Sequence, residues 1–133
     1  MSVEKAVRAI LLDDAKTVAH VSSRIFPQRR PQGTPVPAIV YQNVFEEENQ
    51  ALAEQGGIKR TRLSLELFYN TYSGNKALII VVVGALVNYT GEIEGTTIDN
   101  IRLENSIDID ETNTPGSDFG FFRTILDFVI WHQ

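Results

Sequence analysis

Cysteine is absent from this 133-residue chain, which removes disulfides, thiolate catalysis and cysteine-based zinc or iron–sulfur sites together. Imidazole is scarce as well. His20 and His132 are the two histidines, and neither stands at a spacing from other polar residues that makes a catalytic triad. His20, beside Ser22 and Ser23, therefore reads as a structural residue. No GxGxxG or GxxxxGK[ST] pattern occurs, so a nucleotide site has no support. An excess of positive charge is also missing: 12 Lys and Arg against 17 Asp and Glu leave a formal net charge of −5. That balance gives no global electrostatic case for gripping a nucleic acid backbone, whereas an acidic surface lets DNA pass without sticking. Finally, no apolar run has membrane length. The most apolar stretch, Ala77–Val87, rises roughly 16 Å as a helix, against about 30 Å of hydrocarbon, and no basic cluster flanks it to anchor on anionic lipid. Glu4, Lys5 and Arg8 interrupt the N-terminal apolar pattern, which excludes a signal-peptide core there.

What is present is ordinary globular composition, 43% hydrophobic and 22% charged, on a length that suits a single domain over 1–133. Val3, Ala6, Val7, Ile10 and Leu11 fall at the spacing of an amphipathic helix, with Ser2 as a candidate N-cap. Asp13 and Asp14 break that pattern, and Ala15 to Val21 fit a further short helical turn. Four prolines between Pro27 and Pro37 forbid a helix and predict an extended arm over 27–37. AIVYQNVF (38–45) reads as a strand. IKRTRLSLELFYN (58–70) reads as another, with Leu63, Leu65, Leu67 and Tyr69 on one face and Arg62, Ser64 and Glu66 on the other. The two form a hairpin with a long polar loop over 46–57. Alternation further on places Ile101, Leu103, Ile107 and Ile109 on one strand face and Arg102, Glu104, Asp108 and Asp110 on the other. A turn-forming DETNTPGSD follows. The closing FGFFRTILDFVIWHQ is apolar on both faces, so this last strand belongs in the middle of the sheet or under cover on two sides.

The segment NKALIIVVVGALVNY (75–89) sits between strand and helix. The β-branched run Ile79–Val83 and the mid-segment Gly84 favour a strand, while seventeen residues from Ser73 to Tyr89 with no turn signal but Gly84 favour a helix. Length decides, and the reading is one long apolar helix over about 73–89, capped by Ser73. A small-residue stripe (Ala77, Val81, Gly84, Ala85) and a bulky stripe (Leu78, Val82, Leu86) give it two packable faces and no solvent face. The fold class is thus α+β: a mostly antiparallel sheet, with a long hairpin, packed by an N-terminal helix and this apolar one.

Clustered charge offers little chemistry. Asp13 and Asp14 are neighbours about 100° apart on a helix, so they end it rather than share a metal. Asp108, Asp110 and Glu111 lack the glycine-bearing loop of a calcium site and read as a solvated strand edge that discourages edge-to-edge aggregation. Lys59, Arg60 and Arg62, with Arg29 and Arg30, make a basic patch. It reads either as a solvated strand start or as an intersubunit pairing with Glu46, Glu47 and Glu48. Nothing aromatic is interleaved, as single-stranded nucleic acid would want.

Several local signatures then fall in order along nearly the whole chain: Arg24-Ile25-Phe26-Pro27; Pro37-Ala38-Ile39-Val40-Tyr41-Gln42 opening a strand; Tyr72-Ser73 opening the segment after the long strand; and the terminal DFVIW. In this arrangement the sequence resembles the tail completion (tail terminator) family of long-tailed phages. The resemblance implies a small α+β subunit that assembles into a hexameric ring in the virion. The ring caps the tail tube, stops its polymerisation and meets the head-side connector, with DNA passing through and with no catalysis, metal or cofactor. The chain departs from the family pattern at 75–89, where IIVVV stands in place of an alanine-rich helix. On this reading Val81 and Ala85 join the charged residues above as interface candidates. Its nearest rival is another neck component, a stopper or adaptor, which would share size, acidity and ring formation. A small α+β enzyme or ligand-binding protein would need a convergent set of polar groups that the sequence does not supply.

Overall fold

The computed structural model describes residues 3–29, 31, 33, 35–48, 58–110 and 122–133, with 43–48 and 110 described by backbone alone. Among the described residues, three helices and six strands follow the order α1 (Val3–Asp13), α2 (Ala15–Val21), β1 (Ile25–Pro27), β2 (Ala38–Glu48), β3 (Lys59–Tyr69), α3 (Tyr72–Leu86), β4 (Gly91–Ile93), β5 (Thr96–Asp110) and β6 (Phe122–His132). All six strands join one sheet in the order β1-β2-β3-β6-β5-β4. Every neighbouring pair is antiparallel except β1 with β2. The α+β class is as the patterning implies, and β6 lies inside the sheet between β3 and β5.

The period of two on the central strands decides where the core goes. Leu63, Leu65 and Leu67 of β3 stand opposite Phe128, Leu126 and Thr124 of β6, and all six are buried. Onto this face pack Val3, Ala6, Val7, Ile10 and Leu11 of α1 and Leu78, Val82 and Leu86 of α3. Burying a side chain of this size stabilises the fold by about 1.5–3 kcal/mol, so the two helices are held by their apolar stripes more than by intrinsic propensity. Asp13 closes α1, and Asp14 caps α2 by accepting from the Thr17 backbone N–H at 3.2 Å and from its hydroxyl at 2.6 Å.

Several local expectations need correction. The proline arm does not start at Pro27: Ile25–Pro27 form β1, a parallel edge strand on Ile39–Tyr41, a position that tolerates proline because its missing N–H can face outward. Strand β2 runs on to Glu48, with Glu46, Glu47 and Glu48 opposite Thr61, Arg60 and Lys59, so the first three residues of the expected 46–57 loop are paired. The remainder of that loop, and the DETNTPGSD turn beyond Asp110, lie outside the described residues, as do Ser2 and Arg30. Strand β4 was not anticipated; it returns into β5 through Glu94 and Gly95, both at positive φ (51° and 76°), the two-residue hairpin geometry that a twisted ribbon favours.

The largest correction concerns β5. Register shifts between Ile98 and Asn100 and between Leu103 and Asn105 reverse the alternation that the sequence suggests. Ile101 and Leu103 oppose Ile130 and Phe128 on the helix-covered face, but beyond the second shift Ile107 and Ile109 oppose Ile125 and Arg123 on the outer face. One extra residue in a strand turns every later side chain over. Ile107 is 45% exposed in consequence, and Asp108 turns toward the helix side.

Helix α3 begins two residues earlier than a cap at Ser73 would place it. Thr71 is its N-cap, accepting from Gly74 N at 3.1 Å, and Ser73 lies inside the first turn. A Cβ on Gly74 would fall 2.2 Å from the Tyr69 ring, so any larger residue there would have to displace that ring. The helix stops at Leu86, and Asn88, at positive φ, ties its end to Ile101 through an N–H to carbonyl bond of 2.9 Å. It also has a solvent face, contrary to expectation: Ile80 is 73% exposed and Gly84 is exposed.

Phe128 is the largest fully buried side chain. Its replacement by alanine is expected to lower unfolding free energy by about 3–5 kcal/mol, measured by denaturant titration.

Candidate interaction surfaces

The outward side of α3 is built by helical spacing. Ala77, Ile80, Val81 and Gly84 fall at i, i+3, i+4 and i+7, one face of a helix. Leu78, Val82 and Leu86 fill the buried face, and Ile79, Val83 and Ala85 pack against the core from its flanks. Of the two interface candidates on this helix, Val81 thus belongs to the outward stripe and is half-buried, while Ala85 leans on the chain's own core. A Cβ built on Gly84 meets no atom within 4 Å. A glycine in mid-helix costs about 1 kcal/mol relative to alanine, and nothing among the described residues requires it.

The outer face of the sheet carries the charged residues in opposed pairs. Arg62 reaches Glu104 at 3.3 Å, Arg102 reaches the same carboxylate at 3.5 Å, and Arg123 reaches Glu66 at 3.1 Å. Ser64 Oγ donates to Asp127. Arg102 lies 5.3 Å from the Trp131 ring centroid and Arg123 lies 5.8 Å from that of Phe68. Neutralised and half-exposed, this surface is suited to water rather than to binding a single sign of charge. Of the sequence candidates, Arg62 is therefore engaged by a residue of its own chain. Arg60 and Lys59 stand opposite Glu47 and Glu48 by backbone register, a cross-strand arrangement of opposite charges that supports the hairpin. Arg29 is exposed on the segment after β1.

A polar chain links the first turn of α3 to the sheet. Asn75 Nδ2 donates to Thr124 Oγ1 at 2.8 Å, Thr124 Oγ1 donates to Asp108 Oδ1 at 2.8 Å, and Lys76 Nζ reaches Asp108 Oδ2 at 2.5 Å. The Lys76 hydrogen bond, seconded by that of Thr124, holds the Asp108 carboxyl below its ordinary 3.8, while the same Asp108 contact holds Lys76 above 10.5. Asp108 is thus exposed but engaged, not a merely solvated edge. Sequence patterning missed this cluster because it arises only after the strand register shifts.

Both histidines have structural partners. His20 Nδ1 lies 3.1 Å from the Tyr69 hydroxyl and the buried His132 Nε2 lies 2.7 Å from Thr61 Oγ1. Among the described residues no group of three or more His, Asp or Glu could hold a metal, and no helix is long and apolar enough to cross a membrane. A cavity of about 590 Å³ runs along α1 and mixes Lys5 and Arg8 with Asp13 and Glu94 around Tyr41, without converging groups that would serve a reaction.

The described residues thus form a small α+β fold with an outward apolar helix face and paired surface charges. The chain belongs to the family described as tail completion protein gp17, which matches residues 5–133. In fold it is similar to a chain of the virion of a native gene transfer agent particle, with a TM-score of 0.72 at 16% identity, covering 98% of this chain and 94% of that one. No curated protein matches. The protein is a structural component of a phage tail, located in the virion and assembled with other tail and head components.

The Lys76–Asp108 pair has a definite pH signature. Asp108, with a lowered folded pKa, contributes stability that is complete above its unfolded value of 3.8 and is lost as pH falls through the folded value. Lys76, raised, contributes stability that is complete below 10.5 and is lost as pH rises through the folded value. Both side chains are well exposed (36% and 57%), so the effect is small. Asp108→Asn is expected to flatten slightly the fall in denaturation midpoint between pH 7 and about pH 3, while leaving neutral-pH folding intact.

Proposed function

We propose that copies of this chain close into a ring, hexameric as the family resemblance implies, that caps the tail tube, ends its polymerisation and joins it to the head connector. The observation that carries this reading is the outward stripe of α3. Ile80, exposed in mid-helix, and Gly84, required by nothing among the described residues, fit the close approach of a neighbouring copy, with Val81 at the centre of the contact and Ala85 at its inner margin. Covering such a face gains roughly 25 cal/mol for each Å² of apolar area removed from water. A second contact in the proposed ring pairs the basic patch of Arg29, Arg30, Lys59, Arg60 and Arg62 on one copy with Glu46, Glu47 and Glu48 of the next. The pairs at this contact set register more than affinity. The net charge of −5 suits a channel through which DNA slides. Nothing in this role calls for catalysis or a cofactor.

Electron microscopy of the purified protein tests the ring: a six-fold annulus with a central hole is expected, and a monomer at every concentration contradicts it. Ile80→Glu, at a position exposed within the chain, is expected to keep the fold and abolish the ring. Gly84→Ala is expected to stabilise the unassembled chain by about 0.5–1 kcal/mol yet weaken ring formation, as analytical ultracentrifugation would read. Rings of unchanged strength from both variants would remove α3 from the interface.

A further inference from the structure

The two margins of the sheet are each covered over half their length. β1 lies on Ile39–Tyr41 of β2, and β4 lies on Thr96–Ile98 of β5. Among the described residues no strand covers the outer side of β2 over 43–48 or of β5 over 103–110. The register puts the start of both open stretches at one level. Asn43 stands opposite Leu63, Leu63 opposite Phe128, and Phe128 opposite Leu103. From there the open part of β2 runs toward the Lys59 end of the central ladder, and that of β5 toward the Tyr69 end.

Hydrogen bonds fix which backbone groups these stretches leave over. Asn88 N–H donates to the Ile101 carbonyl and Gln133 N–H to that of Thr97, so Ile101 points away from β6 and Thr97 toward it. Inward and outward residues alternate along an antiparallel ladder. Followed along β6, the alternation turns the N–H and C=O of Leu103, Ser106 and Asp108 outward. On β2, Ile39 N–H donates to Arg24 and the Tyr41 carbonyl accepts from Gln28. The same alternation along β3 then turns Asn43, Glu46 and Glu48 outward. Among the described residues these groups have no backbone partner. Native sheets guard such edges with proline or charge. β1 is guarded, since Pro27 lacks an N–H and Ile25 N–H donates to Ser23. β5 is not: Glu104 to Asp108 are all exposed, while Glu104 is neutralised by Arg62 and Arg102, and Asp108 by Lys76.

We propose that the open edge of β5 (103–110) receives the open edge of β2 (43–48) from a second copy, so that neighbouring sheets continue into one another. This seam rests on the ring proposed above and names the backbone contact within it. β2 and β5 run in opposite directions in the sheet, so two copies facing the same way meet as an antiparallel pair. β1 of one copy then lies beyond one end of the seam and β4 of the other beyond the opposite end. The contact joins unlike edges, as a closed ring of many copies requires. Its geometry also suits closure. The two open stretches are staggered by about five residues across the four strands β2-β3-β6-β5. At about 3.3 Å per residue and 4.8 Å per strand, that stagger tilts the strands by about 40°, within the roughly 35–45° of closed sheets.

Ser106→Pro and Glu46→Pro each delete one outward N–H that the chain's own ladder does not use, a position where a strand tolerates proline; circular dichroism checks the fold. Each is expected to lose rings in sedimentation velocity, while Ser106→Ala and Glu46→Gln, which keep the N–H, retain them. Mixed in equal amounts, the two proline variants still offer one intact seam, β2 of the Ser106 variant on β5 of the Glu46 variant. A 1:1 dimer and nothing larger is expected. In the unmodified protein, the Ser106 and Asp108 amides should exchange with solvent at least about tenfold more slowly in rings than in diluted monomer; this measurement decides if a variant misfolds. Rings from a proline variant, no dimer from the mixture, or amides that stay open in the ring overturn the seam and leave the ring standing. Open filaments that the proline variants abolish remove ring closure alone. An unmodified protein that is monomeric at every concentration removes both.

Discussion

Eleven consecutive residues of β3 pair with eleven of β6, from Lys59 opposite His132 to Tyr69 opposite Phe122, and the two-residue period of this pairing assigns the sides of the whole domain. Odd positions of β3 and even positions of β6 share the covered face, so α1 and α3 have one place to bury their stripes. The charges of Arg62, Glu66, Arg123 and Asp127 are left on the other. A slip of one residue would expose Leu63, Leu65 and Leu67 together and bury those charges, which is why so long an unbroken ladder is strongly specified. Its upper end places Thr124 beneath Asn75, and through Thr124 the polar chain to Asp108 and Lys76.

Much of this organisation is written in the residues. The leucine alternation of β3 and the two-sided apolarity of β6 identify the centre of the sheet, and the spacing of Val3, Ala6, Val7, Ile10 and Leu11 identifies α1. These signals are legible because each repeats over many residues and burial enforces it. What is not legible depends on single residues or on chain closure. The register shift at Glu104 has no signature in the alternating pattern and yet moves Ile107, Ile109 and Asp108 to the opposite face. Thr71 rather than Ser73 is the cap, and Gly74 lies close against the Tyr69 ring, a contact that local propensity does not contain. The parallel strand at Ile25–Pro27 lies beside a proline-rich segment that propensity alone discounts.

The surfaces show the same division. Apolarity along 77–87 was visible, but hydrophobic content could not say which face of α3 its own chain leaves open. Packing answers that: Leu78, Val82 and Leu86 turn inward, and Ala77, Ile80, Val81 and Gly84 turn out. The charged candidates fare differently, since Arg62 finds Glu104 within its own chain and Lys59 and Arg60 stand across from glutamates of the same hairpin. Exposed pairs of this kind are worth little in stability and serve better to orient a neighbour than to hold one.

The role proposed for this tail completion protein is to end growth of the tube. The most direct measurement is the length distribution of tails assembled in its absence, taken from micrographs of particles made without this chain. Tails extended well past their normal length and lacking heads are the predicted result. Tails of normal length joined to heads would contradict the account.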